Sequence, residues 1–235
     1  MENLANIPLV ILAGGKGTRI SEYSLNIPKP MIKIGRIPII KHIINYYESF
    51  GVKKIFIAAG YKKEIIIKYF SNNKNVKVID TGNNTLTGGR LLRLKKLLNS
   101  TFFLTYGDGL SNVDIKKLYS FHVKHKKIAT VTAVHPVARF GEIIIKGNTV
   151  IKFNEKPRVK NDWINGGFFV FNDDVFKYLT NDKTILENEP LMTLAKNAQL
   201  SSFKHEGFWQ CMDTLREKMI LDELNRSKNC PWKKR

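Results

Sequence analysis

A glycine-rich stretch and two cations follow the first apolar run of the chain. The run PLVILA at 8–13 leads into GGKG at 14–17, then Arg19, and ten residues further on Lys29 stands between two prolines. Glycines directly after a buried strand let backbone N–H groups approach phosphate oxygens, because no Cβ intervenes. Arg19 and Lys29 can neutralise phosphate charge. The stretch predicts a phosphate-binding loop, and a plain tight turn is the alternative.

The loop differs from two common phosphate-binding motifs. The sequence lacks the pattern G-x-x-x-x-G-K-[ST], which excludes a P-loop. Gly15-Lys16-Gly17 supplies G-x-G, but Ile20 stands where the third glycine of a dinucleotide fingerprint belongs. The spacing of serine, histidine and aspartate assembles no triad, so covalent catalysis is not expected.

The elements that must position this loop alternate between strand and helix patterns. We predict strands at 8–13, 53–60, 75–80, 101–109, 127–135, 164–172 and 200–205, and a hairpin at 140–157 turning at Gly147-Asn148. We predict helices at 38–51, 62–70, 114–126, 173–180, 185–197 and 213–226, and a glycine loop followed by a helix at 86–99. This order predicts an α/β fold, with a mostly parallel sheet covered on both faces and ligands beyond its carboxyl ends.

Composition limits the class of protein. The chain has 235 residues, 43% of them hydrophobic, and a net charge of +19. Its lysines are spread along the chain and no nucleic-acid-binding motif is present, so we expect no nucleic-acid partner. No apolar run approaches the ~18 residues of a membrane span. Cys211 and Cys230 lack the spacing of metal ligands or of a redox pair. The N-terminus is interpreted as a strand rather than a signal peptide. We therefore expect a cytoplasmic protein without a membrane partner.

Several ordered segments carry a resemblance to a known family. LAGGKGTR at 12–19 and PKPM at 28–31 resemble the signature of the sugar-phosphate nucleotidyltransferases. TGGR at 87–90, FNEKP at 153–157 and GFWQCMDTLREK at 207–218 resemble its glucose-1-phosphate cytidylyltransferase subfamily. The resemblance covers nearly the whole chain.

The resemblance implies a Rossmann-like nucleotidyltransferase fold with a mixed, mostly parallel central sheet and helices on both faces. It implies one domain over 1–235, with a nucleotide-binding part at 1–135 and a sugar-phosphate-binding and C-terminal part at 136–235. The implied reaction transfers a cytidylyl group from CTP to a sugar 1-phosphate, most directly α-D-glucose 1-phosphate. CDP-glucose and pyrophosphate are formed by Mg²⁺-assisted in-line attack.

The resemblance also assigns roles on the nucleotide side. Lys29, Arg19 and Asp108 are the implied catalytic residues, and Asp108 and Asp213 are the implied Mg²⁺ ligands. Without the resemblance, Asp108 would be interpreted as a turn residue and Asp213 as a helix N-cap. Arg90 would read the cytosine, against the alternative of a helix start with a solvated arginine. The full implied nucleotide-binding set is Leu12, Ala13, Gly14, Gly15, Lys16, Gly17, Thr18, Arg19, Lys29, Thr85, Gly88, Gly89, Arg90 and Gly107.

The implied sugar side draws on the second half of the chain. Its residues are Glu155, Lys156, Asn165, Gly166 and Glu189. The two glutamates would accept sugar hydroxyls and the lysine would hold the attacking phosphate. A surface ion pair is the alternative for Glu155 and Lys156. Trp209 is either an apolar wall of the site or a core residue.

Two departures from the subfamily leave alternatives open. Ile27 replaces the first lysine of its K-P-K-P-M motif, and about thirty residues that the subfamily carries after Phe70 are missing. Another sugar 1-phosphate or a related phosphorylated substrate is therefore an alternative, and so is a non-catalytic nucleotide-sugar-binding module. A homo-oligomer stays open, and we expect a smaller assembly than the family's higher oligomer, a dimer or a monomer.

Overall fold

The computed structural model describes residues 3–15, 17, 20, 26–136, 140–155 and 162–233. The strands in these ranges are β1 (Leu9–Ala13), β2 (Lys33–Ile34), β3 (Ile37–Pro38), β4 (Ile55–Ala59), β5 (Val76–Asp80), β6 (Phe102–Tyr106), β7 (Gly109–Ser111), β8 (Ala129–Val134), β9 (Glu142–Lys146), β10 (Thr149–Asn154), β11 (Ile164–Phe171), β12 (Leu200–His205) and β13 (Trp209–Cys211). The α-helices are α1 (Ile39–Glu48), α2 (Lys63–Phe70), α3 (Thr87–Leu92), α4 (Ile115–His125), α5 (Glu189–Lys196) and α6 (Leu215–Arg226). Short 3₁₀ helices lie at Leu4–Asn6, Lys29–Met31, Lys95–Leu97 and Asp173–Tyr178.

One seven-stranded sheet forms the centre, in the order β12-β8-β11-β6-β1-β4-β5. Its pairings are parallel except for the two that β11 makes, with β6 and with β8. The carboxyl ends of six strands and the start of β11 therefore meet at one edge. The predicted fold class, a mixed and mostly parallel sheet in an α/β fold, is confirmed. The sheet takes strands from both predicted parts of the chain, whose division at residue 135 stays a prediction.

Both faces of the sheet are covered, as the continuous apolar strands predict. In β1, Leu9 and Ile11 pack in one core, whereas Val10 and Leu12 pack in the other. Buried side chains of α1, α2, α4 and α6 belong to the first core. Those of α3, α5 and the 3₁₀ helix Asp173–Tyr178 belong to the second.

Local sequence signals explain where several helices begin and end. Pro38 precedes α1, and Gly51 just beyond it adopts a φ of +94°, a conformation that favours glycine. A capping box formed by Thr214 and Glu217 opens α6, where each side chain accepts a hydrogen bond from the other's backbone N–H. This box fixes the chain immediately after Asp213.

Three predicted elements differ in the structure. The TGGR segment belongs to α3 itself, whereas we predicted a glycine loop before the helix. Residues 173–178 form a 3₁₀ helix, and α5 begins at Glu189 rather than at residue 185. The pair of β7 with β13 was not predicted, because three-residue strands carry too few positions to show a period.

The hairpin of β9 and β10 forms as predicted, with Gly147 in the left-handed region at its turn. None of the helices that the structure describes has the length and apolarity of a membrane span.

Candidate active site

A cleft of about 590 Å³ opens at the carboxyl edge of the central sheet. Its floor is the end of β1 and the glycine loop after it. The residues that line it are Leu12, Ala13, Gly14, Gly15, Gly17, Lys29, Pro30, Thr85, Leu86, Thr87, Arg90, Tyr106, Gly107, Asp108, Asn165, Glu187, Trp209, Cys211 and Asp213. This is the place where open α/β sheets bind ligands.

Lys29 joins two aspartates that are far apart in the sequence. Its Nζ lies 2.5 Å from Asp108 Oδ2 and 2.5 Å from Asp213 Oδ1. Lys29 is held in a 3₁₀ turn that begins after Pro28. Asp108 stands between β6 and β7, and Asp213 follows β13, so the β7–β13 pair brings the two carboxylates together. The three charged groups form one cluster, which we call the lysine–aspartate cluster.

Charge in this cluster is held in a partly dry environment. The side chain of Lys29 is 10% exposed, whereas those of Asp108 and Asp213 are 26% and 23% exposed. Burial acts to lower the pKa of Lys29, but Asp108 and Asp213 outweigh it and raise that pKa above its usual value. Lys29 is therefore a permanent cation at neutral pH. The cluster offers one positive and two negative groups to a ligand in the cleft.

Asp213 is positioned by the start of α6. The backbone N–H of Asp213 donates to Glu217 Oε2 at 2.6 Å, and the N–H of Thr214 donates to the same oxygen at 2.8 Å. Cys211 lies beside these acids, and burial together with Glu217 and Asp213 raises the pKa of its thiol to about 12. A protonated thiol is a poor nucleophile, so Cys211 serves as a wall of the cleft.

Arg90 ties together the loops that follow β1 and β5. Its guanidinium is buried and donates to Gly14 O at 2.9 Å, Thr81 Oγ1 at 2.8 Å and Gly82 O at 2.7 Å. A Cβ on Gly14 would lie 2.0 Å from the Arg90 Cζ, so glycine is required there for the guanidinium to approach. Arg90 fixes the backbone of the glycine loop, and it also lines the cleft.

A hydrogen-bonded set of side chains also lines the cleft. Tyr106 at the end of β6 donates to Glu187 Oε1 at 2.5 Å, and Thr87 at the start of α3 donates to Glu187 Oε2 at 2.6 Å. Asn165 in β11 lies next to them, with its Nδ2 donating to Tyr106 Oη at 3.4 Å. The Trp209 indole N–H donates to Gly166 O at 2.7 Å, so the ring is fixed as part of the cleft wall.

Comparison with known proteins agrees with this geometry. Residues 9–211 match the family described as Nucleotidyl transferase. The chain is similar to a glucose-1-phosphate cytidylyltransferase of Salmonella typhimurium, with 43% identity over 95% of this chain and 98% of that protein. It is also similar to a mannose-1-phosphate guanyltransferase of Aspergillus oryzae, with 32% identity over 85% of this chain and 59% of that one.

The chain belongs to the nucleotidyl transferase family. The resemblance read from the sequence motifs is thereby confirmed.

Solved structures agree on the fold of this nucleotidyl transferase. HddC from Yersinia pseudotuberculosis superposes with a TM-score of 0.74 at 25% identity, over 94% of this chain and all of that one. A UDP-glucose pyrophosphorylase complexed with UDP-glucose gives a TM-score of 0.72 at 18% identity, over 93% of this chain and 98% of that one. At that identity the second likeness shows the fold alone.

The Salmonella relative is longer than this nucleotidyl transferase. Its alignment runs over 251 positions, more than the 235 residues of this chain, so that protein carries residues that this chain lacks. In the structure α2 ends at Phe70 and β5 begins at Val76, with a turn between them. The predicted consequence for assembly stays a prediction.

The structure brings most of the predicted site residues into the cleft. These are Leu12, Ala13, Gly14, Gly15, Gly17, Lys29, Thr85, Arg90, Gly107, Asp108, Asn165 and Asp213. Lys16, Thr18, Arg19 and Lys156 lie outside the described residues. Gly88, Gly89, Glu155, Gly166 and Glu189 are described but do not line the cleft.

Packing accounts for the two glycines of TGGR. A Cβ on Gly89 would lie 2.5 Å from the backbone oxygen of Asp182, and one on Gly88 would lie 2.8 Å from Thr184 Cγ2. Both glycine N–H groups donate to Thr184 O. The glycines therefore let α3 pack tightly against residues 182–184. Their assignment to nucleotide binding stays a prediction.

Sequence reasoning missed Glu187 and chose Glu189 instead. Glu189 is exposed on the first turn of α5, whereas Glu187 precedes the helix and turns into the cleft. The missed signal was Pro190, which favours the first turn of a helix and thereby places Glu187 before it. Tyr106 was missed with it, because its partner is 81 residues away in the sequence. The contact of the Thr87 side chain with Glu187 spans 100 residues and was not predicted either.

The donor set of the cluster fits a magnesium ion. Within the described residues, no group of three or more acidic, histidine or cysteine side chains could hold a metal alone. Mg²⁺ does not need such a group, because it is commonly held by one or two carboxylates together with substrate phosphates and water. Asp108 and Asp213 supply two carboxylates.

Proposed function

We propose that this protein transfers the cytidylyl group of CTP to a sugar 1-phosphate, with α-D-glucose 1-phosphate as the preferred acceptor. The observation that carries the proposal is the lysine–aspartate cluster, which lines the same cleft as the glycine loop. The nucleotide and acceptor follow from the Salmonella relative, whose name states that activity and which this chain matches over nearly its whole length.

The reaction brings two polyanions together. A phosphate oxygen of the sugar 1-phosphate attacks the α-phosphorus of CTP, a new P–O bond forms, and the bond to the β-phosphate oxygen breaks. The electron pair of that bond leaves with pyrophosphate. No covalent enzyme intermediate is involved, so the protein contributes cations, backbone N–H groups and positioning.

Lys29 is placed to stabilise the charge that develops on pyrophosphate. It is a rigidly held cation at the point where the triphosphate would cross the glycine loop. The N–H groups of Gly14, Gly15 and Gly17 belong to that loop, and a close backbone approach there costs no steric clash. An interaction made mainly with the leaving group raises kcat more than it lowers KM.

Asp108 and Asp213 would hold Mg²⁺ through their carboxylates. When bound, the ion neutralises triphosphate charge and polarises the α-phosphate. Arg90 positions the glycine loop, because its guanidinium donates a hydrogen bond to the carbonyl of Gly14. Asn165, Tyr106 and Trp209 would line the acceptor side.

A panel of nucleotides and sugar 1-phosphates tests the proposal. CTP, UTP, dTTP and GTP are each incubated with α-D-glucose 1-phosphate and Mg²⁺, and pyrophosphate release is measured. CTP should turn over fastest, because a base that leaves buried polar groups unpaired is strongly disfavoured. Equal turnover of CTP and dTTP would refute the nucleotide assignment. A higher rate with another sugar 1-phosphate would refute the acceptor.

A further inference from the structure

Glu187 is a bridge between two elements that line the cleft, the start of α3 and the end of β6. One carboxylate oxygen accepts from the Tyr106 hydroxyl at 2.5 Å, and the other accepts from the Thr87 hydroxyl at 2.6 Å. The Thr87 hydroxyl also accepts a hydrogen bond from the backbone N–H of Leu186 at 2.9 Å, so Leu186 and Glu187 are both bound to the start of α3. A carboxylate that accepts two hydroxyl hydrogen bonds holds both donors in one geometry.

The bridge continues toward the predicted sugar side. Asn165 donates to the Tyr106 oxygen at 3.4 Å, and its own Oδ1 accepts from the Gly167 N–H at 2.8 Å. Gly167 has a φ of +76°, and a Cβ there would lie 2.5 Å from the Tyr106 ring, so the ring packs closely against the backbone of β11.

We propose that Glu187 is a positioning residue that fixes the start of α3, on the nucleotide side, to Tyr106 and Asn165, on the sugar side. The four side chains of Thr87, Glu187, Tyr106 and Asn165 are called the Glu187 bridge. The inference rests on the proposed function, because it assigns the α3 side of the cleft to the nucleotide and the side of Tyr106 and Asn165 to the sugar 1-phosphate of that reaction.

The bridge should act on the rate of the chemical step more than on the affinity for either substrate. Each substrate can still contact its own side of the cleft when the bridge is broken. The distance between α3 and Tyr106 then becomes less well defined, and a misplacement of about 1 Å between reacting groups can cost on the order of 100-fold in rate. The expected loss is therefore in kcat.

Glu187→Gln tests the bridge with a minimal change of shape. The glutamine oxygen can accept from Tyr106, but its NH₂ group cannot accept the Thr87 hydroxyl, so one bond of the bridge is lost. Tyr106→Phe removes the other bond without changing the ring. Glu223→Gln makes the same chemical change on an exposed position of α6 and is the matched control.

We expect Glu187→Gln and Tyr106→Phe each to lower kcat by about 10- to 100-fold, with pyrophosphate release as the assay. The dissociation constant of CTP, measured by calorimetry without acceptor, should change by less than about threefold. The kcat of the double variant should be little lower than that of either single variant. Glu223→Gln should behave as wild type. A wild-type kcat in Glu187→Gln would overturn the inference, as would a tenfold weaker CTP binding with unchanged kcat.

A double-mutant cycle on the free energy of unfolding separates this inference from the proposed function. If the wild-type protein releases no pyrophosphate from any nucleotide, the proposed function fails. The bridge is still tested by urea unfolding of wild type, Glu187→Gln, Tyr106→Phe and the double variant. We expect the two changes to be coupled by at least about threefold in the unfolding equilibrium constant. Additive effects would show that the two side chains do not act together.

Discussion

Lys29→Met should strengthen the binding of a divalent cation to the protein without nucleotide. Methionine keeps the length of the side chain but removes its ammonium group. In the wild-type protein that ammonium lies 2.5 Å from an oxygen of each aspartate, so the two oxygens are within twice that distance of one another. A cation that binds both carboxylates must first displace Lys29.

The magnitude follows from the exposure of the two ion pairs. The carboxylates are 26% and 23% exposed, so each pair is screened by solvent, and about 0.5–1 kcal/mol per pair is the discounted value. Losing both pairs on metal binding therefore costs about 1–2 kcal/mol, which corresponds to about tenfold in the dissociation constant. We expect Lys29→Met to bind Mn²⁺ about tenfold more tightly than wild type.

Electron paramagnetic resonance of free Mn²⁺ during a titration measures this binding directly. Lys33→Met is the matched control, because it removes the same charge from an exposed position four residues along the chain. The control should bind Mn²⁺ as wild type does. If Lys29→Met binds no tighter than Lys33→Met, Lys29 does not compete with a cation for Asp108 and Asp213.

Three further predictions concern stability and reactivity. Burial lowers the pKa of His122 and His125 below 6.5, so below that pH the unfolded chain binds protons that the folded one does not. The free energy of unfolding, measured with urea, should therefore be lower at pH 5.5 than at pH 7.5, and this loss should be smaller in His122→Gln than in wild type. With a thiol pKa of about 12, Cys211 should react with iodoacetamide on the order of 1000-fold more slowly than a free cysteine at pH 8, and mass spectrometry showing equal rates would contradict this. Gly89→Ala forces a Cβ against the backbone of Asp182 and should lower the free energy of unfolding by about 1–3 kcal/mol, whereas an unchanged urea midpoint would show that α3 can move away.

The fold could be predicted because the strands are nearly continuous apolar runs separated by periodic helices. Residues 9–13 and 102–104 are fully buried on both faces of the sheet, which is the case where pattern and structure agree most closely. Helix α1 was predicted over 38–51 and forms over Ile39–Glu48, within the limits set by Pro38 and Gly51, because both residues act through local backbone conformation. These signals need no knowledge of tertiary contacts.

The errors occurred where tertiary contacts outweigh local preference. TGGR has poor helix propensity, yet it is helical because Gly88 and Gly89 allow α3 to pack against residues 182–184. Glu187 and Glu189 have the same chemistry and lie two residues apart, and only the start of α5 decides which one turns into the cleft.

The lysine–aspartate cluster was predicted in its members but not in its contacts. Lys29, Asp108 and Asp213 each matched a motif of the family. Their direct ion pairing spans 79 and 184 residues of sequence and depends on the β7–β13 pair, which no local pattern indicated. Arg90 was likewise expected to face a base, whereas its guanidinium also holds the backbone of the glycine loop.

Pyrophosphate release by Asp108→Asn is the most direct test of the claim that the lysine–aspartate cluster is the centre of cytidylyl transfer. The assay uses CTP and α-D-glucose 1-phosphate at saturating Mg²⁺, with Asp173→Asn as a control for an exposed aspartate. Asp108→Asn should keep the wild-type unfolding midpoint to within a small shift, because its side chain is partly exposed, and should lose turnover by at least about 100-fold. Turnover close to wild type in Asp108→Asn, with the protein folded, would contradict the account.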